Sequence, residues 1–194
     1  MAMKKIAIYS IVAVFVLWAA GCAGSVKKTD KTAGFNGSFE ITKSGLPANW
    51  AIYPPSIKSE DAELVLDTTD AKDGKQSLKF VIHKCPECSE SGGWHCPGIF
   101  QEKPAISEKS YKVSFWLKNQ GCKFKVRLES IIAIRDYADS KTVLDTNETF
   151  DDWRRYEYMH TICKDGTSFR FELNILSPGT LWIDDIRVEE VQKK

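Results

Sequence analysis

Several stretches of this chain alternate apolar and polar residues with a period of two, and no long stretch keeps a helical period. In SYKVSFWLK, Val113, Phe115 and Leu117 alternate with Ser114, Trp116 and Lys118, and in KFKVRLES, Phe124, Val126 and Leu128 alternate with Lys125, Arg127 and Glu129. SFRFELNIL sets Phe169, Phe171, Leu173 and Ile175 against Arg170, Glu172 and Asn174. Successive side chains of a strand leave opposite faces, so each run is a strand with one buried face. QSLKFVIH, RRYEYMHTI and TLWIDDIRV add strand-like runs, and KDGK, KDGT and SPGT mark turns between them. Short strands separated by turns, with no helix and no internal repeat, predict an all-β fold, an antiparallel β-sandwich or jelly roll.

The N-terminus is different in kind. Lys4 and Lys5 precede an apolar run from Ile6 to Ala20, and small residues lead into Cys22, the layout of a secretory signal. The run is short of the roughly 20 residues that cross a bilayer. Ala19-Ala20-Gly21-Cys22 resembles a bacterial lipobox, with Ala19 where leucine is usual, which implies a signal peptide over 1–21 and lipidation of Cys22. Residues 22–33 are small, polar and charged and read as the lipidated cysteine and a flexible tether. A lipid-anchored protein of the bacterial cell envelope follows, and Ala23 after the cysteine leans toward the outer membrane. Removing 1–21 takes away Lys4 and Lys5 and no acid, so the formal charge falls by two, from +1 to −1. No concentrated basic excess remains for a nucleic-acid partner. The remainder suits one domain with a substantial core.

The polar faces of the three alternating strands carry Trp116, Arg127, Glu129, Arg170, Glu172 and Asn174. On a shared sheet they would form one ring among hydrogen-bonding groups. A pyranose stacks its apolar face on such a ring while amides, guanidinium and carboxylates satisfy its hydroxyls. A solvated sheet face is the alternative, since antiparallel sheets commonly keep one polar side.

FNGSFE, GLPANW, AKDGKQSLKF, SEKSYKVSFWLK, DDWRRYEY and LWIDDIRVEE occur in this order between residues 34 and 191, with 192–194 a short tail. This order resembles the carbohydrate-binding modules of the CenC-like type, families four, nine and twenty-two. The resemblance implies a galactose-binding-like jelly roll that binds polysaccharide or oligosaccharide without catalysis. It also implies a structural calcium, held by Glu40 and Asp184 with backbone oxygens near Gly37 and Lys75; calcium takes six to eight oxygen ligands. Edge charges that block aggregation are the other reading of Asp184 and Asp185. Trp116, Arg127, Glu129, Glu172 and Asn174 become candidates on a concave sheet face, with Trp94 and Tyr137 at its rim. Trp50 and Trp153 fall inside motifs and are expected in the core, and Tyr156, Tyr158 and His160 are expected as a packed aromatic stripe.

KCPECSESGGWHCPG, between two expected strands, departs from that pattern. Apart from Cys22 the chain holds Cys85, Cys88, Cys96, Cys122 and Cys163. An oxidising compartment favours disulfides, and an odd count leaves at least one thiol over. Cys122 and Cys163 are candidates to bridge adjacent strand ends, and Cys85 or Cys88 to join Cys96 and close the loop that carries Trp94. Zinc, held by Cys85, Cys88, Cys96 and His95 or His83, is the lesser reading; free thiols are a third. No catalytic constellation stands out. Glu129 and Glu172 are the only candidate acid pair for glycoside hydrolysis, and spacing alone does not make them one. The expected function is therefore glycan binding at the envelope, with an envelope scaffold that grips protein partners through the same sandwich as the alternative.

Overall fold

The computed structural model describes residues 30–54, 60–86, 88–133 and 136–192, and the backbone alone at 133 and 136–138. The expected signal peptide and Cys22 lie outside the described residues. Residues 30–33, expected in the tether, are held instead: Asp30 exchanges hydrogen bonds with the Asn49 side chain in both directions, at 2.7 and 2.8 Å.

The described residues form twelve strands: β1 Thr42–Lys43, β2 Leu46–Pro47, β3 Ala51–Tyr53, β4 Ala62–Asp67, β5 Ser77–Ile82, β6 Gly98–Pro104, β7 Ser110–Gln120, β8 Phe124–Ala133, β9 Asp136–Thr146, β10 Phe150–Thr161, β11 Ser168–Ile175 and β12 Gly179–Glu190. Two five-stranded antiparallel sheets pack as a sandwich. The first sheet runs β10-β7-β12-β5-β4 and the second β3-β6-β11-β8-β9; β1 and β2 make a small hairpin. The fold is the expected all-β jelly-roll sandwich.

The alternation explains the core. Val113, Phe115 and Leu117 of β7 face Phe169, Phe171 and Leu173 of β11 across the interior, all fully buried. Phe115 meets Phe171 edge-on at 5.4 Å, a favoured aromatic geometry. Tyr156 and Tyr158 pack against Phe115, and His160 bonds Ser130 at 2.9 Å, so this stripe of β10 belongs to the interior. Trp50 is in the core, its indole N–H donating to the Asn36 carbonyl at 2.9 Å. Trp153 is a correction. It stands half-buried on the outer face of the first sheet and donates to Asp70 Oδ1 at 2.7 Å, because a loop folds over that face and gives the indole a polar partner.

The turn at 72–76 joins the beginning and end of the domain. Gly37 lies flush on the last strand, where a Cβ would sit 1.8 Å from the Ile186 carbonyl oxygen, and its own carbonyl accepts the Ile186 amide at 3.0 Å. Glu40 and Asp184, from the two chain ends, both reach into that turn.

Candidate binding face

The outward residues of the second sheet form an ordered charge layer. Arg170 on β11 lies opposite Glu129 of β8 on one side and Glu102 of β6 on the other. One pair further along, Glu172 lies opposite Arg127 and Phe100. Opposite charges therefore meet directly across each strand pair, the arrangement that stabilises neighbouring strands. Arg170 Nε donates to Glu102 Oε1 at 2.9 Å, and its guanidinium lies 3.6 Å from Glu172 Oε2 and 3.9 Å from Glu129 Oε2. Arg127 Nη2 donates to Glu172 Oε1 at 2.9 Å and also to Asn174 Oδ1.

This layer is an outer face, yet Glu129, Arg170 and Glu172 are no more than 5 % exposed. Three things cover it. Tyr53 of β3 stacks on Phe100 of β6, centroids 4.7 Å apart and planes 23° apart, and the Arg170 guanidinium sits 4.6 Å from the Phe100 ring centre. Ser140 of β9 donates to Glu129 Oε1 at 2.7 Å. The cysteine-rich loop lies on the far end of β11. Burial, reinforced by the nearby Glu172 charge, pushes Glu129 above the usual carboxylate range against the pull of Ser140 and the two arginines.

Two polar atoms of this layer are left without a hydrogen bond. Arg127 Nε and Glu129 Oε2 are buried with no hydrogen-bond partner among the described residues. One is a donor and one an acceptor, and leaving either unmet costs about 1–3 kcal/mol. Both carboxylates expected as an acid pair, Glu129 and Glu172, are engaged by Arg170.

The loop sits where Asn174 holds it. Gly92 has φ of +73°, and a Cβ there would come within 2.8 Å of Asn174 Oδ1, so glycine is required both by conformation and by contact. Lys123 bonds the Glu90 carboxylate and Lys125 its carbonyl. The loop then presents Trp94 to solvent, 61 % exposed at the rim of the face.

Of the expected binding residues, Arg127, Glu129, Glu172 and Asn174 come together on the second sheet. Asn174 is fully buried and uses its amide on the loop, where it positions Gly93. Trp116 is not part of this face. Strand β7 pairs with β10 and β12, which puts Trp116 outside the first sheet, under the Lys72 ammonium at 4.0 Å. Alternation tells which way a side chain points but not which sheet carries it. Tyr137 lies on β9 with its backbone opposite Ile131, its side chain outside the described residues. Tyr53, Phe100 and Glu102 are the members that the sequence reading missed. In GIFQEK the same period-two pattern puts Phe100 and Glu102 on one face, which was the available signal.

The cysteines are similarly sorted by topology. Strand β10 runs antiparallel to β7, with Thr161 opposite Ser110, so Cys163 lies beside the start of β7 and Cys122 after its end. A Cys122–Cys163 bridge is excluded by the length of that strand, about 35 Å at 3.3 Å per residue. Cys85 and Cys88 instead both point their thiols at the Ile175 carbonyl, at 4.0 and 3.6 Å. His83 bonds Glu63 at 3.2 Å, and His95 lies against Trp94, ring centres 3.5 Å apart and planes tilted by 34°. Among the described residues no group of three or more His, Cys, Asp and Glu is disposed about a metal position.

At the turn 72–76, Asp184 accepts the amides of Lys72, Asp73 and Asp185 at 2.7, 2.9 and 2.7 Å, and Glu40 accepts those of Lys75 and Gln76 at 2.8 and 3.1 Å. A carboxylate offers about four lone-pair sites. Each therefore keeps acceptor capacity beside the same turn, which fits a hard cation. Burial pushes Asp184 up to about 6 in spite of its three amide bonds, as befits a carboxylate with too little positive charge around it.

No protein-family model matches the chain, and no curated protein matches it in sequence. Solved structures do match in fold. A CBM22-1 xylan-binding domain from Paenibacillus barcinonensis Xyn10C is 15 % identical with a TM-score of 0.55, over 81 % of this chain and 93 % of that one. A CBM4 structure is 18 % identical with a TM-score of 0.55, over 80 % and 98 %. The enzymatically active domain of bacteriophage CBA120 tailspike protein 4 is 11 % identical with a TM-score of 0.60, over 74 % of this chain and 19 % of that one. At these identities the likeness is one of fold, and it agrees with the sandwich described above.

Proposed function

We propose that this chain binds carbohydrate without catalysing its cleavage, through the face built on β3, β6, β11 and β8. The observation that carries the reading is that Arg127 Nε and Glu129 Oε2 lack hydrogen bonds on the same sheet face that carries the Tyr53–Phe100 stack. A sugar hydroxyl both donates and accepts, so one hydroxyl group can answer either atom, while the pyranose face suits the aromatic stack. The fold shared with xylan-binding and other carbohydrate-binding modules supports the same reading.

Arg127 and Phe100 contact the ligand, Trp94 extends the contact surface at the rim, and Glu172 and Asn174 hold the other groups in place. Attachment by lipid at Cys22 would hold this face at the cell envelope, more specifically the outer membrane. Calcium bound by Glu40 and Asp184 would supply positive charge to the turn 72–76 and cross-tie the two chain ends.

The test is affinity electrophoresis of the full chain through a panel of soluble polysaccharides. Retardation by at least one neutral glycan, lost in Arg127→Ala, supports the proposal; a folded chain retarded by none overturns it. Labelled fatty acid incorporated into the chain, and absent from Cys22→Ala, tests the anchor.

A further inference from the structure

The cysteine-rich loop has a fastening that the binding face does not explain. Its two arms end on one residue. The Cys85–Cys88 arm points both thiols at the Ile175 carbonyl, and the Cys96 arm continues into Pro97, whose carbonyl accepts the Ile175 amide at 2.7 Å. Within the first arm Cys88 N donates to the Cys85 carbonyl at 3.3 Å, a tight turn that brings residues three apart side by side. All three cysteines are thereby gathered about Ile175 of β11. All five described cysteines are unbonded to one another. Cys122 is buried just after β7, and Cys163 is at the opposite end of that strand.

We propose that Cys85, Cys88 and Cys96 form a redox-sensitive fastening in which Cys88 is the shared partner: oxidation joins Cys88 to Cys96 and staples the loop, and Cys85 can move the bond. Three sulfurs can make only one disulfide. The middle one therefore has a choice of partner, and the two choices differ structurally. A Cys88–Cys96 bond closes the segment that contains Gly92, Gly93 and Trp94. A Cys85–Cys88 bond stays within one turn and leaves that segment held by Asn174 and the lysines alone.

The oxidant is a small disulfide such as oxidised glutathione. The Cys88 thiolate attacks one of its sulfurs and releases a thiolate, giving a mixed disulfide. The Cys96 thiolate then attacks the Cys88 sulfur and expels the second. Two protein thiols become one S–S bond, the oxidant's S–S bond becomes two thiols, and the two protons pass to the leaving sulfurs. In the exchange step the Cys85 thiolate attacks Cys88, the Cys96 thiolate leaves and takes up a proton, and no net oxidation occurs. Burial pushes the thiols of Cys85 and Cys88 upward, so they are protonated at neutral pH and the reduced form reacts slowly.

The consequence for Trp94 rests on the proposed function; the bond itself does not. The experiment exposes the full chain to oxidised glutathione, alkylates the remaining thiols and maps peptides by mass. The expected result is the loss of two hydrogens and a Cys88–Cys96 cross-linked peptide. Cys96→Ser should move the bond to Cys85–Cys88, and Cys88→Ser should leave this cluster without one. Thiols that all stay free under oxidant, a bond from Cys88 to Cys122 or Cys163, or one zinc ion per chain that blocks alkylation of the three would each overturn the proposal. A chain that forms the bond but binds no glycan overturns the proposed function alone.

Discussion

Asn174 and Gly93 hold each other twice: the Gly93 amide donates to Asn174 Oδ1 at 3.0 Å, and Asn174 Nδ2 donates to the Gly93 carbonyl at 3.2 Å. Through this pair a side chain of the central strand β11 carries the loop, and the loop carries Trp94. Asn174→Ala removes both bonds and leaves half-buried backbone groups of Gly93 unmet. It should cost about 1–3 kcal/mol in urea unfolding and raise amide exchange at Gly92 and Gly93 above that of β11.

Trp116, named in the sequence, should separate in function from Phe100, the ring that it concealed. Phe100→Ala deletes the partner of Tyr53 and Arg170, so glycan retardation should fall at least tenfold. Trp116→Ala acts on the other sheet and should leave retardation unchanged. Equal loss in both variants would place the binding surface elsewhere.

Asp67 gives the pH dependence of the first sheet. It accepts the Trp182 indole N–H at 2.9 Å and Thr69 at 2.6 Å, with Lys79 3.6 Å away. Burial opposes its charge, but the bonds from Thr69 and Trp182 outweigh that and hold it well below the usual carboxylate range. A depressed folded value means stability that is fully present above the ordinary carboxylate pKa and is lost as pH falls through the acid range. Asp67→Asn should flatten the decline in melting temperature as pH falls below about 4, where the unmutated carboxylate is giving up its advantage. An unchanged slope would assign the acid sensitivity to other groups.

Calcium at the turn 72–76 should raise the melting temperature of the full chain relative to EGTA. Saturation at a hundredfold over the dissociation constant corresponds to about 2.7 kcal/mol. In Asp184→Asn and in Glu40→Gln the difference between calcium and EGTA, and not merely the absolute value, should vanish. No difference in the unmutated chain removes calcium from the account.

The sandwich was legible because β7, β8 and β11 alternate without a break, and burial of one face leaves few other folds. Which strands neighbour one another was not. Trp116 and Arg127 have the same outward phase, and only the pairing of β7 with β12 and of β8 with β11 assigns them to different sheets. The same nonlocal fact separated Cys122 from Cys163. Tyr53 went unread for another reason: β3 is three residues long, too short to show a period. Arg127 and Glu129 were found because charge at alternate positions of an otherwise apolar strand has few explanations.

Both arms of the cysteine-rich loop terminate at the peptide groups on either side of Ile175 Cα, and Asn174 grips Gly93, so the sheet fixes only the two ends of the loop and one point beside its tip. What lies between can be lengthened, shortened or rewritten without shifting the register of β11. The tip is thereby an interchangeable part, and a change of ligand preference can be made there while the face beneath it stays fixed.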